Sequence, residues 1–180
     1  MIHTLRTAFT ALIGALLLGG CWTSDEPLLT GTVARPLADG MYRYEKDSIS
    51  LTRADDGYYD TVETRAGQSP MTAIVRFEAM PELDRDGRRG FAYQALGDES
   101  GLFSYGLVLV DATGFFQLDP RCEGEAADEA AVRIAVAQNA KLTKGDEDGE
   151  CNFDSVVDLK TALTAYSRDA KFGTLWTRQP

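Results

Sequence analysis

The chain has 180 residues, a formal net charge of -10 and 44% apolar residues. This length and composition fit a single globular domain with its own core, and they exclude a chain that is disordered throughout. The acidic balance makes nucleic acid and anionic lipid headgroups poor partners for the domain, because their negative charge is repelled.

Residues 1–20 differ from the rest of the chain: they hold one strong base, Arg6, no acidic residue, and a short apolar run. Such a segment is typical of a signal peptide, and the run is shorter than the roughly 20 apolar residues that a membrane-spanning helix needs. Its removal would make the remaining chain one unit more acidic. It would also remove His3, the only histidine.

The end of this leader, Leu18-Gly19-Gly20-Cys21, resembles the lipobox of bacterial lipoprotein precursors. The resemblance implies cleavage just before Cys21 and lipidation of its thiol, so that the protein reaches a membrane of the bacterial cell envelope through lipid. Trp22 in the next position resembles the outer-membrane sorting class, which faces the periplasm. The alternative is an ordinary signal peptide cleaved elsewhere, with Cys21 left as a free or bridged thiol.

The cysteine count is odd, which lipidation of Cys21 would explain. Cys122 and Cys151 then remain as a pair in an oxidising compartment, where a disulfide is the expected state. Closing a loop of about 30 residues would stabilise the domain by roughly 3 to 4 kcal/mol. Two separate buried thiols are the alternative.

The mature chain would contain no histidine and, with the disulfide formed, no free thiol. This excludes the Ser-His-Asp and Cys-His nucleophile arrangements and histidine-bound zinc. The sequence therefore predicts no catalytic residue, no metal site and no cofactor, and a protein that is not an enzyme.

The predicted organisation is a signal peptide at 1–20, a lipidated tether at 21–40 and one domain at 41–180. The tether is predicted because its residues mix Thr, Ser, Pro, Gly and charge without sustained periodicity. From Met41 onward, short alternating runs separated by turn residues indicate an antiparallel sheet. The predicted strands are 41–45, 48–53, 58–65, 71–80, 91–96, 102–110 and 115–118, and a last strand at 172–177 returns to the sheet.

Two helices are predicted in the C-terminal third. The first covers 125–140, which is rich in alanine, and the second follows Ser155, where a capping-box pattern precedes an apolar stripe. The predicted fold is therefore α+β, with an antiparallel sheet of about seven strands, either a sandwich or an open barrel, and two α-helices.

Candidate sites are few. Arg85, Arg88 and Arg89 lie in a predicted hairpin tip and could bind a carboxylate or phosphate of a partner, although such tips are usually only solvated. Glu63 and Glu78 could pair for glycoside hydrolysis if their strands were neighbours under a cleft. The acidic turn 145–150 resembles part of a calcium loop, but the register fails and a solvated turn is favoured.

The start of the first predicted strand, Gly40-Met41-Tyr42, resembles the Gly-x-Trp opening of lipocalins with tyrosine in place of tryptophan. The family's later motifs have no match. The resemblance implies a barrel that carries a small apolar ligand, and the alternative is that the aromatic residues form an ordinary core.

Three functions remain open at this stage. The favoured one is a non-enzymatic, lipid-anchored envelope protein that binds another envelope protein. The second is a lipocalin-like carrier of a small apolar ligand. The third is a carboxylate-based hydrolase that acts on cell-wall glycan.

Overall fold

A computed structural model describes residues 22–97, 101–121, 142–144, 151–170 and 173–180. These residues form twelve β-strands, one α-helix (α1, Val156–Asp169) and one 3-10 turn (Pro81–Leu83). The strands are β1 Trp22–Ser24, β2 Val33–Ala34, β3 Gly40–Tyr44, β4 Asp47–Arg53, β5 Tyr59–Thr64, β6 Met71–Ala79, β7 Arg89–Gly97, β8 Phe103–Val110, β9 Gly114–Leu118, β10 Leu142–Lys144, β11 Cys151–Phe153 and β12 Thr174–Arg178.

Eight of the strands form a closed antiparallel barrel. Strands β3 to β9 pair in chain order, each with the next. β12 closes the circle, because it pairs with β9 on one side and with β3 on the other. Trp176 lies opposite Phe115, and Thr177 lies opposite Arg43. Side chains therefore alternate between the barrel interior and its outer wall along every strand.

The predicted α+β fold is wrong, since the molecule is mostly β and its sheet closes into a barrel. The seven predicted strands correspond to β3 to β9, and the predicted returning strand corresponds to β12. Alternation is a local signal, so it cannot tell a strand that ends a sheet from one that joins its two edges. The described residues contain one helix instead of two, and the other predicted helix, at 125–140, lies outside them.

Helix α1 packs on the outer wall of the barrel. It begins after Ser155, whose Oγ accepts a hydrogen bond from the Asp158 amide at 3.4 Å. The predicted apolar stripe, including Leu159 and Leu163, is buried together with Leu107 of β8. β8 is thus apolar on both faces, because one face lines the barrel and the other lies under the helix. Among the described residues, no helix has the length and hydropathy needed to span a bilayer.

The segment predicted to be a tether, 21–40, is packed against the barrel from residue 22 onward. β1 lies between β8 and β11, and its Trp22 is fully buried against Phe153, with ring centroids 5.1 Å apart. The chain then crosses the outer wall, where β2 pairs with β6. It ends by placing Leu37 in the barrel interior. Cys21 lies outside the described residues.

The described residues therefore form two apolar cores, one inside the barrel and one between its outer wall and α1. Cys151 is buried in the second core. Cys122 lies outside the described residues, so the disulfide between the two cysteines stays a prediction.

Candidate functional site

The two ends of the barrel differ in how they are filled. The closed end is defined here by Leu37, Tyr59, Phe91 and Val110, which are all buried. The opposite end, the mouth, holds a pocket of about 350 Å³, within the range of small-molecule sites. The mouth is lined by Tyr44, Asp47, Glu63, Arg65, Ala66, Gln68, Gln117, Asp119, Thr174 and Trp176.

Strand direction explains why these side chains meet. β3 ends at Tyr44 and β4 begins at Asp47, so both lie at the same rim. β5 returns to that rim near Glu63, and β12 starts from it at Thr174. In an antiparallel barrel the end of one strand lies beside the start of the next, so residues distant in sequence share one rim.

Glu63 is a buried acidic group of the mouth. It alternates inward with Tyr59 and Thr61, and only 1% of its surface is exposed. Arg65 donates a hydrogen bond from Nε to its Oε1 at 2.7 Å. The other oxygen, Oε2, is buried and accepts no hydrogen bond from any residue that the structure describes.

The electrostatic surroundings of Glu63 disfavour its charge. Burial raises the pKa of this carboxyl, and nearby Asp47 and Asp119 raise it further, while the bond from Arg65 opposes the shift. A carboxylate with one unpartnered oxygen in a buried place costs free energy, which a donor entering the mouth would recover.

Asp119 is held by two side-chain donors inside the barrel. The Tyr93 hydroxyl donates to its Oδ1, and Gln117 Nε2 lies 3.1 Å from each of its oxygens. Removal from water raises the pKa of Asp119, while both hydrogen bonds lower it. Tyr93 can reach this position because Gly106 lies against its ring, where a Cβ would come within 2.6 to 2.7 Å of the ring atoms.

Aromatic rings form another side of the mouth. The rings of Tyr44 and Trp176 have centroids 6.2 Å apart and are tilted by 57°. Trp176 also stacks on Phe115 at 6.2 Å. Its indole nitrogen is buried without a hydrogen-bond partner among the described residues. The mouth therefore combines acidic oxygens with ring faces.

The interior between mouth and closed end is filled by side chains. A cavity of about 30 Å³ remains there, lined mainly by apolar groups such as Ile49, Ala73, Ala95 and Val108. That space holds one or two water molecules at most. The barrel fold is compatible with the lipocalin-like alternative, but the space inside it is small, so a ligand would occupy the mouth.

The predicted arginine cluster is divided among separate contacts. The hairpin tip forms, with positive φ at Asp86 and Gly87. Arg85 donates to the Ser167 carbonyl at 2.5 Å, near the end of α1. Arg88 pairs with Asp111 at 3.1 Å and covers the Phe116 ring, while Arg89 lies over the ring of Phe91, with its guanidinium carbon 5.5 Å from the centroid. Partner binding through these arginines stays a prediction.

Glu63 and Glu78 do not form the carboxylate pair that the sequence suggested. Glu63 points into the barrel, whereas Glu78 lies on the outer face of β6. There Glu78 pairs with Lys160 of α1 and accepts a hydrogen bond from the Gly31 amide at 3.2 Å. Their strands β5 and β6 are neighbours, as the prediction required, but the Glu63 and Glu78 side chains lie on opposite faces of the sheet.

Sequence reasoning missed most of the mouth. It considered Glu63 only as a possible partner of Glu78, although Glu63 lies on the same face of its short strand as Tyr59 and Thr61. Asp119 had no such signal, because it follows the last residue of β9 and its role depends on Tyr93 and Gln117. Among the described residues, no three His, Cys, Asp or Glu side chains converge as metal ligands would.

The fold and the site together define a closed, eight-stranded antiparallel barrel with an acidic, aromatic-lined pocket at one end. Comparisons of the chain with protein-family models, with curated proteins and with solved structures gave no match.

Proposed function

We propose that this chain is a lipid-anchored protein of the bacterial envelope that binds a small ligand in the mouth of its barrel without chemically changing it. The observation that carries the proposal is the mouth itself, a pocket of about 350 Å³ at one end of a barrel whose other end is filled. Barrels with one open end commonly bind ligands there.

The anchor and the location come from the sequence. The lipobox-like Leu18-Gly19-Gly20-Cys21 supports attachment through Cys21, and the leader supports export. The absence of histidine from the rest of the chain supports binding over catalysis. Binding of another envelope protein, the function favoured from the sequence alone, stays a prediction beside this one.

The test uses the two tryptophans of the chain, because only Trp176 lines the mouth while Trp22 lies in the second core. A library of small amines, sugars, carboxylates and fatty acids is added to the ¹⁵N-labelled domain, with the indole resonances assigned from Trp176→Phe. We expect at least one compound class to shift the Trp176 indole signal and leave that of Trp22 in place. If no class moves the Trp176 signal, the proposal is wrong.

A further inference from the structure

The charge balance of the mouth indicates what kind of ligand enters it. Among the described residues, the carboxylates of Asp47, Glu63 and Asp119 line the pocket together with Arg65, and Arg121 lies close enough to Asp119 to act on its charge. If all five groups are ionised, three negative charges stand against two positive ones and the pocket is negative overall. An anionic ligand would be repelled there, and a cation would be attracted.

The hydrogen-bond inventory singles out one acceptor within this pocket. Both oxygens of Asp119 already accept bonds from Tyr93 or Gln117, and Asp47 Oδ1 accepts the Ala66 amide at 3.3 Å. Glu63 Oε1 accepts from Arg65, while Oε2 has no donor in the described part of the chain. The mouth thus has a buried acceptor in need of an N–H or O–H group, and charge favours N–H on a cation.

The intramolecular contact at Glu63 gives a model for the missing partner. Arg65 places a guanidinium nitrogen 2.7 Å from one carboxylate oxygen, with side-chain exposures of 11% for Arg65 and 1% for Glu63. A cation bound in the mouth would offer the same kind of contact to the other oxygen, Oε2, which has no donor among the described residues. Charge-assisted bonds of this kind are about twice as strong as neutral ones.

The aromatic side of the mouth suits the remainder of such a ligand. Ring faces of tyrosine and tryptophan attract cations and also pack against alkyl chains. Tyr44 and Trp176 therefore provide a contact for the carbon atoms next to the charged group.

We infer that the mouth binds a small organic cation, an alkylammonium or alkylguanidinium, with Glu63 receiving its N–H donors and Tyr44 and Trp176 packing against its carbon chain. This inference rests on the proposed function and names the ligand class for that same site. It replaces the apolar ligand that the lipocalin resemblance implied, because the acidic groups are in the mouth and the apolar interior is filled.

The experiment compares four probes that differ in the head group: n-butylammonium, n-butylguanidinium and n-butanol, which share a butyl chain, and butyrate, whose alkyl chain is one carbon shorter. Binding is followed through the Trp176 indole resonance. We expect the two cations to bind, with an affinity that falls as ionic strength rises. Butanol is expected to bind at least about tenfold more weakly, and butyrate is expected not to bind.

The diagnostic variant is Glu63→Gln, which keeps the shape of the side chain and an oxygen for Arg65 but removes the charge. We expect it to weaken binding of both cations by about tenfold or more. The matched control is Asp60→Asn, which removes one negative charge from the same strand on its exposed outer face. Its affinity should stay within about twofold of the wild-type value, because the exposed charge is screened. If Glu63→Gln does not fold, Asp119→Asn takes its place with the same expected direction.

Two results would overturn the inference. One is butanol binding as tightly as the cations, and the other is an unchanged cation affinity in the folded Glu63→Gln or Asp119→Asn protein. If neither cation binds but a sugar or fatty acid shifts Trp176, the ligand class is wrong and the proposed function stands. If no compound of any class binds, the proposed function itself fails.

Discussion

The two ends of the barrel are built from the same strands, but one end is filled by apolar side chains and the other is lined by acidic groups. At the closed end, the Leu37 carbonyl accepts hydrogen bonds from Tyr59 at 2.8 Å and from Arg53 at 2.6 Å, so polar atoms are satisfied and apolar side chains fill the space. At the mouth, Glu63 and Asp119 are held in positions that raise their pKa. The closed end stabilises the fold, whereas the mouth keeps buried acidic groups whose ionisation is unfavourable, which is the arrangement that the proposed ligand would relieve.

The largest effect is expected at the closed end. Leu37→Ala removes a side chain that is 3% exposed and lines the small interior cavity, so it enlarges an apolar void. We expect the free energy of unfolding to fall by about 2 to 5 kcal/mol in urea denaturation. Ligand binding at the mouth by the folded fraction should not change.

Leu175→Ala provides the control for this substitution. Leu175 is 38% exposed on the outer wall, so its truncation should cost well under half as much. An equal loss of stability in the two variants would contradict the larger contribution expected of the buried Leu37.

An intermediate loss of stability is expected between the two ends of the barrel, where Gly106 lies opposite Tyr93. Gly106→Ala places a Cβ within 2.6 to 2.7 Å of the Tyr93 ring and hydroxyl, so the ring must move from the position in which its hydroxyl donates to Asp119. We expect a loss of about 1 to 3 kcal/mol in the free energy of unfolding, measured by urea denaturation.

The cause can be checked in a Tyr93→Ala background, where the clash with the ring is absent. Gly106→Ala should cost clearly less there, and the difference between the two costs measures the coupling between the residues. Strictly additive losses would contradict the packing of Gly106 against Tyr93 as the cause.

The smallest effect is a pH dependence that has opposite signs for stability and for binding. The pKa values of Glu63 and Asp119 are raised in the folded protein, so the folded state holds these protons more tightly than the unfolded state does. The free energy of unfolding of the empty protein should therefore rise as the pH falls from neutrality through the raised values, and the gain is complete near the ordinary carboxyl pKa of about 4. Binding of n-butylammonium should weaken as the pH falls over the same range, because protonation removes the negative charge of Glu63 and Asp119.

Urea denaturation and the Trp176 titration at a series of pH values measure the two trends. In the Glu63→Gln, Asp119→Asn double variant both trends should be largely lost. A free energy of unfolding of the wild-type protein that decreases as the pH is lowered over the same range would contradict the raised pKa values.

Much of the barrel could be predicted from the sequence, because alternation is strong in strands such as β6, where Ala73 and Phe77 face inward. The closure of the barrel could not be predicted, since it depends on β12 pairing with both β9 and β3, and β3 lies near the other end of the described chain. The packing of residues 22–40 was missed for another reason. Leu29 is buried in the core under α1 and Leu37 in the barrel interior, but both lie outside the strands, in chain without a regular apolar period.

The candidate site was harder to predict than the fold. Glu63 was noticed only as half of a pair with Glu78, and the two lie on opposite faces of the barrel wall. What makes Glu63 unusual is the set of groups near it, including Asp47 and Asp119, and their approach depends on the curvature of the closed sheet. Local sequence patterns carry no information on such distances.

The burial of Trp22 in β1 has a consequence for how the protein would sit in the envelope. A lipid on Cys21 would enter the bilayer one residue away from a ring that is fixed between the barrel wall and α1. The connection between the lipid and the barrel would then be short and rigid instead of flexible. The side of the molecule that carries β1 would rest against the headgroups, and the barrel would have a preferred orientation relative to the membrane plane.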